Sequence, residues 1–365
     1  MENAPITNGE VKCTLPGEYY HSAEVHAREL ERIFYNSWLC AGRTESLPNV
    51  GDFFVRGVGP ESIIVTRAQS GDLRAFYNVC RHRGARLCAH QQGHFRGNVM
   101  TCAYHRWSYA LDGELVATPN MPDGDLDKAE YSLYPVGLRT YEGFIYINLA
   151  GDDAPLSEPL GGFEEQAAPY HLGKLHVART VNYDVNANWK IVVENFMECY
   201  HCPGVHPELC QVVPDFRKAL VHQGKSGGAR LVEGATTLTA SGTSNRPPIG
   251  DLTPEDIGIY RSKVRYPNLF LSFHCDYVLT HTLWPRGAGS THVICDWLFE
   301  PSTIARADFD ASDGVDMWDL VNRQDWEMCE LTQQGVQSRA YQHGVYGARE
   351  SLLHHFNEYV RERLS

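Results

Sequence analysis

The amino-acid sequence predicts an α+β protein in parts: a helical segment over residues 1–39, a small all-β unit over residues 40–150, and a larger mixed unit over residues 151–365. Three observations predict it. Short β-rich runs punctuated by Gly and Pro fill the first half. An acidic stretch with Pro and Gly, residues 151–165, reads as a linker. Beyond it, helical periodicity at 189–200 and 314–337 stands beside a strand pair near 278–299. A chain of 365 residues is long enough for two domains.

Each element has a local reason. Ala23, Ala27, Leu30, Ile33 and Phe34 recur at spacings of three and four, which lines up one apolar stripe and predicts a helix over 22–38. Phe53-Phe54-Val55, Ser62-Ile63-Ile64-Val65, Leu73 to Val79 and Phe144 to Leu149 read as strands, broken at Gly59-Pro60 and Gly71-Asp72. Val278 to Trp284 and Thr291 to Phe299 flank Gly287-Ala288-Gly289, a hairpin pattern. Residues 223–250 are rich in Gly, Ser and Thr and predict a long loop.

Composition excludes several classes. Hydrophobic residues make up 43% and charged residues 21%, an ordinary globular balance. The net charge of −13 argues against clamping nucleic acid or anionic lipid. The absence of an 18-residue apolar run predicts no membrane helix. Met1-Glu2-Asn3-Ala4-Pro5 has neither a basic start nor an apolar run, so no secretion signal is expected. Eleven cysteines without such a signal predict a reduced cytoplasmic setting, with thiols used for metal rather than for a disulfide framework.

Two Cys-His pairs stand out in the β unit. Cys80-x-His82 and Cys102-x-x-His105 are separated by residues 83–101. Each places one thiolate and one imidazole on a short loop. Two such loops fit either a tetrahedral zinc or a diiron cluster with mixed ligands. The one-residue gap in Cys80-x-His82 wraps a single ion poorly. It suits two irons bridged by sulfide, the arrangement of a Rieske [2Fe–2S] centre.

A second constellation lies further on. Glu198 and His201 are three residues apart, so at helical periodicity they are expected to share a face. His206 would point away, but Pro203 and Gly204 are expected to stop the helix and let the chain turn back. In the 314–337 helix, Asp325 falls on the apolar stripe Trp318, Val321, Met328 or Cys329, Thr332, Val336. An ionised carboxylate facing a core must meet a cation, a metal or a buried Arg or Lys. Two histidines and a carboxylate make the facial triad of non-haem Fe(II) oxygenases, with an open face for O₂ and substrate.

Taken in order, Cys80-x-His82, Cys102-x-x-His105, Asn195-Phe196-Met197-Glu198-Cys199-Tyr200-His201, His206 and Gln324-Asp325 resemble the α subunit of Rieske non-haem iron oxygenases. The resemblance implies a Rieske [2Fe–2S] β domain followed by a helix-grip (START-like) α+β catalytic domain, with the N-terminal helix packed on the latter. It implies that Cys80 and Cys102 hold one cluster iron, His82 and His105 the other, and His201, His206 and Asp325 a mononuclear Fe(II). Glu198 would link an iron-bound histidine to the cluster histidine of a neighbouring subunit, which implies a homotrimer. The spacer between the pairs is slightly longer than usual, and the bridging acid is Glu rather than Asp. Asn195 stands three residues before that acid and is a candidate partner for the ligands.

The run Glu198-Cys199-Tyr200-His201-Cys202-Pro203 is similar to the α-only subgroup that oxidises choline, glycine betaine and carnitine. A quaternary ammonium is best held by aromatic faces, and Tyr200, Phe270, Phe273, Tyr277, Trp284 and Trp297 are available, although core packing explains most of them. No G-x-G-x-x-G follows a strand and opens a helix, so NAD(P)H and flavin are expected only on a separate reductase, or electrons through a ferredoxin. The expected reaction is hydroxylation or oxidative N-demethylation with O₂. Hydroxylation or cis-dihydroxylation of an aromatic acid is the alternative within the family, and a zinc-stabilised ligand-binding protein the alternative outside it.

Overall fold

The computed structural model describes residues 12–122, 124–218 and 228–365. The expectations for Met1–Pro5 and residues 223–227 lie outside them. The chain divides into two compact units: Phe34–Ser157, and residues up to Ile33 together with Glu158–Ser365.

The four predicted runs all form strands of the first unit, and six further strands join them among the described residues. A seven-stranded antiparallel sheet runs in the order Leu39–Arg43, Phe144–Asn148, Pro135–Tyr141, Leu73–Tyr77, Glu61–Arg67, Asp52–Val58, Gln92–His94. A smaller sheet of Val99–Thr101, Ser108–Ala110 and Leu115–Ala117 carries the second Cys-His loop. Ile64, Phe76, Met100, Trp107, Tyr109 and Leu111 fill the core between them. Gly113 turns the last hairpin at φ +95°, where a Cβ would lie 2.5 Å from the Phe76 ring, so only glycine fits.

In the second unit, six strands run antiparallel in the order His176–Val185, Ser290–Phe299, Val278–Gly287, Leu269–Phe273, Ile259–Arg265, Ala229–Arg230. The Val278–Gly287/Ser290–Phe299 hairpin turns at Ala288-Gly289 as the sequence suggests. Register places Tyr183, Phe270, His281 and Cys295 on one face. The long helix Ser312–Val336 lies against that face, with Tyr183 and His281 bonded to its residues Asp319 and Asn322. Within the expected loop 223–250, the described residues hold only the two-residue strand Ala229–Arg230.

Three boundaries differ from expectation. The N-terminal helix is broken. Helix Ala23–Glu29, capped by the Ser22 hydroxyl, passes into a π-helical turn Leu30–Phe34 and ends there. The helix expected over 189–200 stops at Phe196, with Met197 as its cap. Pro203 and Gly204 do not terminate a helix. They lie inside a new short turn, Cys202–Val205, where a proline in the first turn costs no hydrogen bond.

A fully buried ion pair ties the N-terminal helix to the rest of the second unit. Lys190 Nζ donates to Glu29 Oε1 (2.5 Å) and to Asn188 Oδ1 (2.8 Å), and Trp189 Nε1 donates to Glu29 Oε2 (2.9 Å). Glu194, one turn further, accepts from the hydroxyls of Tyr20 (2.8 Å) and Tyr346 (3.3 Å). Helix Trp189–Phe196, which leads into the candidate site, is thus held from both chain ends.

Candidate metal centres

The two Cys-His loops of the first unit are built alike. Gly84 N–H donates to Cys80 C=O and Arg106 N–H to Cys102 C=O, both at 3.0 Å, closing one turn around each pair. Gly84 (φ +75°) and Arg106 (φ +62°) take left-handed backbone to do so. Both thiols are buried at 2% exposure, whereas His82 is exposed and His105 half-exposed. The two imidazole rings lie 4.6 Å apart, and His82 stacks on Trp107 at 4.8 Å. Burial pushes the Cys102 thiol up, and the neighbouring Cys80 adds to the push. Burial and the His82 and Arg83 charges pull His105 down. Two crowded buried thiols beside two imidazoles with free lone pairs make a donor set that fits a bound cationic cluster. The Tyr109 hydroxyl lies 3.4 Å from Cys80 Sγ and accepts from Arg81 N–H (2.9 Å).

The second centre sits where the loop after Phe196 meets the long helix. His201, His206 and Asp325 each turn one donor atom inward, and the three lie within 4.8 Å of one another. His206 Nε2 is 2.8 Å from Asp325 Oδ1 and His201 Nε2 is 3.3 Å from it. The far side of each imidazole is tethered. His201 Nδ1 donates to Glu198 Oε1 (2.6 Å), and His206 Nδ1 donates to Gln324 Oε1 (2.7 Å). These tethers leave both Nε2 lone pairs for an ion, the usual outer-shell arrangement of a metal site. Burial would pull His201 down, but the Asp325 and Glu198 carboxylates outweigh it and raise it to about 10. Burial would push Asp325 up, and the two histidines hold it below the usual carboxylate range instead. The pocket is therefore organised around a positive charge, and the residues fit a divalent ion.

Glu198 and His201 do meet, but not as two positions on a helix face. The helix has already ended, and the Glu198 carboxylate folds back to accept from the backbone N–H groups of Tyr200 and His201. Asn195 reaches Asp325, its Nδ2 donating to Oδ1 at 3.1 Å. Gln324 carries a tether for which sequence periodicity offers no signal, because it lies off the apolar stripe. Along that stripe Cys329 is buried, while Thr332 is exposed and Gln333 is buried in its place. Of the six aromatics singled out, Phe270 stacks on Phe196 at 4.3 Å, immediately before the metal loop, whereas Tyr200 is 63% exposed. Trp318 and Tyr260, absent from that set, line the same face of the helix–sheet contact. Cys199 and Cys202 are joined as a disulfide, where the sequence pointed to thiols rather than a disulfide framework; the other nine cysteines are free. Three residues apart across the turn, the pair is close enough in space to join, with Cα atoms 4.9 Å apart.

A β unit with a two-Cys, two-His cradle and an α+β unit with a two-His, one-carboxylate triad define an iron-dependent oxidoreductase with a cluster and a mononuclear centre. Residues 37–142 match the Rieske [2Fe-2S] domain, and residues 172–365 match the catalytic domain of the ring hydroxylating alpha subunit. The chain belongs to the Rieske oxygenase α-subunit family. It is 30% identical to the glycine betaine monooxygenase oxygenase subunit of Pseudomonas aeruginosa, over 96% of this chain and 89% of that protein. It is 27% identical to the chloroplastic choline monooxygenase of Spinacia oleracea, over 96% and 78%. Its structure is similar to that of the quaternary ammonium Rieske monooxygenase CntA, with a TM-score of 0.80, 26% identity and full coverage of both chains. CntA has also been solved with L-carnitine and with gamma-butyrobetaine. Naphthalene 1,2-dioxygenase from Rhodococcus sp. shares the fold, with a TM-score of 0.74, 20% identity and coverage of 96% and 94%. No helix among the described residues is long and apolar enough to cross a membrane.

Proposed function

We propose that this chain is the terminal oxygenase of a multicomponent Rieske monooxygenase that hydroxylates or oxidatively N-demethylates a small quaternary ammonium compound. The observation that carries it is the converging His201–His206–Asp325 triad with both outer nitrogens tethered, in a chain whose near full-length relatives are named for such substrates. When bound, the cluster supplies single electrons and the mononuclear iron an open coordination face for O₂. For an N-methyl substrate, O₂ with two electrons and two protons gives water and a hemiaminal, which separates into formaldehyde and the demethylated amine. The electrons come from a separate flavin or iron–sulfur reductase.

The chain's own residues have the following parts. Cys80 and Cys102 hold one cluster iron from inside the β unit, and His82 and His105 hold the other at its surface. His201, His206 and Asp325 hold the mononuclear iron. Asn195 and Gln324 keep Asp325 and His206 in position. Glu198 accepts from His201 and is the bridge toward a cluster histidine of a neighbouring subunit in a homotrimer. The surface position of His82 supports that assignment. Nine free cysteines against one disulfide support a reducing cytoplasmic setting.

The test is substrate-dependent O₂ uptake and formaldehyde release, with a reductase, across quaternary amines and aromatic acids. Turnover of an aromatic acid alone would overturn the substrate class. Glu198→Gln should keep both iron centres and the cluster spectrum while turnover collapses; near-normal turnover would refute the bridge. Asp325→Ala should lose mononuclear iron and keep the cluster.

A further inference from the structure

The sheet face covered by the helix that carries Asp325 holds a histidine that neither iron centre uses. His281 stands on the strand Val278–Gly287, on the sheet face that the long helix covers, and is 1% exposed. Phe196, Phe270 and Trp318 surround its ring at centroid distances of 5.8, 6.1 and 6.1 Å. It lies close enough to Asp325 to feel that carboxylate's charge. Its Nε2 is 3.1 Å from Asn322 Oδ1, and Asn322 precedes Asp325 by about one helical turn. Its Nδ1 is buried and has no hydrogen-bond partner among the described residues.

A chain of hydrogen bonds decides which nitrogen carries the proton. Arg323 Nε donates to Asp319 Oδ2 at 2.8 Å. Burial would push Asp319 up, but Arg323 and Tyr183 hold it low, so it is ionised and only accepts. The Tyr183 hydroxyl therefore donates to Asp319 Oδ1 (2.6 Å), and its oxygen is left to accept from the Asn322 amide. That amide also donates toward Cys295 Sγ at 3.7 Å. With its NH₂ so engaged, Asn322 turns Oδ1 to His281, and His281 must donate from Nε2. Burial pulls His281 down to about 4, so the ring is neutral near pH 7. Its Nδ1 is then a bare lone pair among aromatic rings, and the Trp318 N–H among them is engaged with His274 Nε2 (3.2 Å) and the Tyr277 hydroxyl (3.0 Å) instead. An unpaired buried acceptor is costly, and native proteins seldom keep one without a partner in the working state.

We infer that His281 Nδ1 accepts a hydrogen bond from a hydroxyl of the bound substrate, and that this chain therefore prefers a hydroxylated quaternary ammonium compound to the same skeleton without the hydroxyl. This rests on the ammonium reading above. The cation would lie against the faces of Phe196, Phe270 and Trp318. The hydroxyl, rather than the charge, would be what His281 reads. A trimethylammonium group has no donor of its own, so on the substrate it is a second functional group that would satisfy Nδ1.

Matched pairs test it. L-Carnitine and gamma-butyrobetaine differ by one hydroxyl, as do choline and ethyltrimethylammonium. Binding is measured by calorimetry on metal-replete, oxidised protein without reductant, for the parent and for His281→Phe. The parent should bind the hydroxylated member of at least one pair about tenfold more tightly. His281→Phe should bring that ratio to near one by weakening the hydroxylated member alone, with iron content and cluster spectrum unchanged. A parent ratio near one, or one favouring the member without the hydroxyl, overturns the inference whether or not the variant folds, and leaves the ammonium reading standing. Binding of no ammonium compound at all overturns both.

Discussion

Replacing Gln324 with Leu tests whether the structure has identified what holds the mononuclear site. His206 is 1% exposed, and its Nδ1–H has Gln324 Oε1 as its acceptor at 2.7 Å. Leucine fills similar space and accepts nothing. The orphaned donor should cost about 1–3 kcal/mol. The imidazole can relieve that cost by rotating, and rotation takes Nε2 off the triad. The expected result is a loss of ~10- to 100-fold in iron affinity, the range found when outer partners of metal ligands are removed. The assay is loss of iron to a coloured Fe(II) chelator under anaerobic conditions. Cluster absorbance serves as the internal standard, because Cys80, His82, Cys102 and His105 belong to the other unit. Glu208→Ala is the control. It removes only the 3.2 Å contact to Gln324 Nε2 and should leave iron affinity within about twofold, as expected for an exposed contact. Gln324→Leu with parental iron retention would refute the tether. Equal losses in both proteins would show that the effect comes from the surface contact instead.

Three further outcomes are expected. Glu29→Gln leaves the buried Lys190 without its anion and should destabilise the catalytic unit by about 3–5 kcal/mol, whereas Glu29→Leu with Lys190→Met should recover most of it; urea unfolding followed by tryptophan fluorescence checks this, and a single variant within about 1 kcal/mol of the parent would contradict it. Burial raises Glu194 to about 7 against 4.5 when exposed, over the opposing pull of Tyr20, Lys190, Tyr346 and Asn357. Between those values the folded state holds the extra proton, so stability should fall as pH rises from 4.5 to 7 and then level off. Glu194→Gln should flatten that slope, removing up to ~3 kcal/mol of pH dependence, and an unchanged slope would assign it elsewhere. Tyr109→Phe removes the hydroxyl beside Cys80 Sγ and should lower the cluster's reduction potential, because hydrogen bonds to the sulfurs stabilise the reduced form; protein-film voltammetry giving no shift would show that the hydroxyl does not donate to sulfur.

The fold was legible where periodicity and packing agree. The β unit declared itself because runs such as Ser62-Ile63-Ile64-Val65 are β-branched and bounded by turn residues, and the strand Glu61–Arg67 falls on that run. The long helix was legible because its buried positions Trp318, Val321, Cys329 and Val336 keep helical spacing over many turns. The helix after Asn188 was legible at its start, where the Asn188 side chain accepts from Lys190 N–H, but not at its end. Residues 197–200 have adequate helix propensity. What ends the helix is the Glu198 carboxylate, which satisfies the N–H groups of Tyr200 and His201 in place of the backbone. That choice belongs to the metal loop and leaves no periodic trace.

The same competition explains which site residues could be read. His201, His206 and Asp325 are conspicuous because imidazoles around a helix break and a carboxylate on an apolar stripe are costly unless they share a purpose. Their tethers are cheap as sequence: Gln324 is an ordinary polar residue on a half-exposed helix flank. Asn195 could be suggested only by its proximity to Glu198. His281 has the least signal of all, since a histidine in a strand most often packs in a core. Its meaning depends on Asn322, Tyr183 and Asp319, which lie on two other elements and agree on one tautomer only once the sheet and helix have met. Ligand atoms can be inferred from what they would cost alone, whereas the orientation of a ring follows from partners far away in sequence. The groups that select a substrate are therefore the ones a single sequence reveals last.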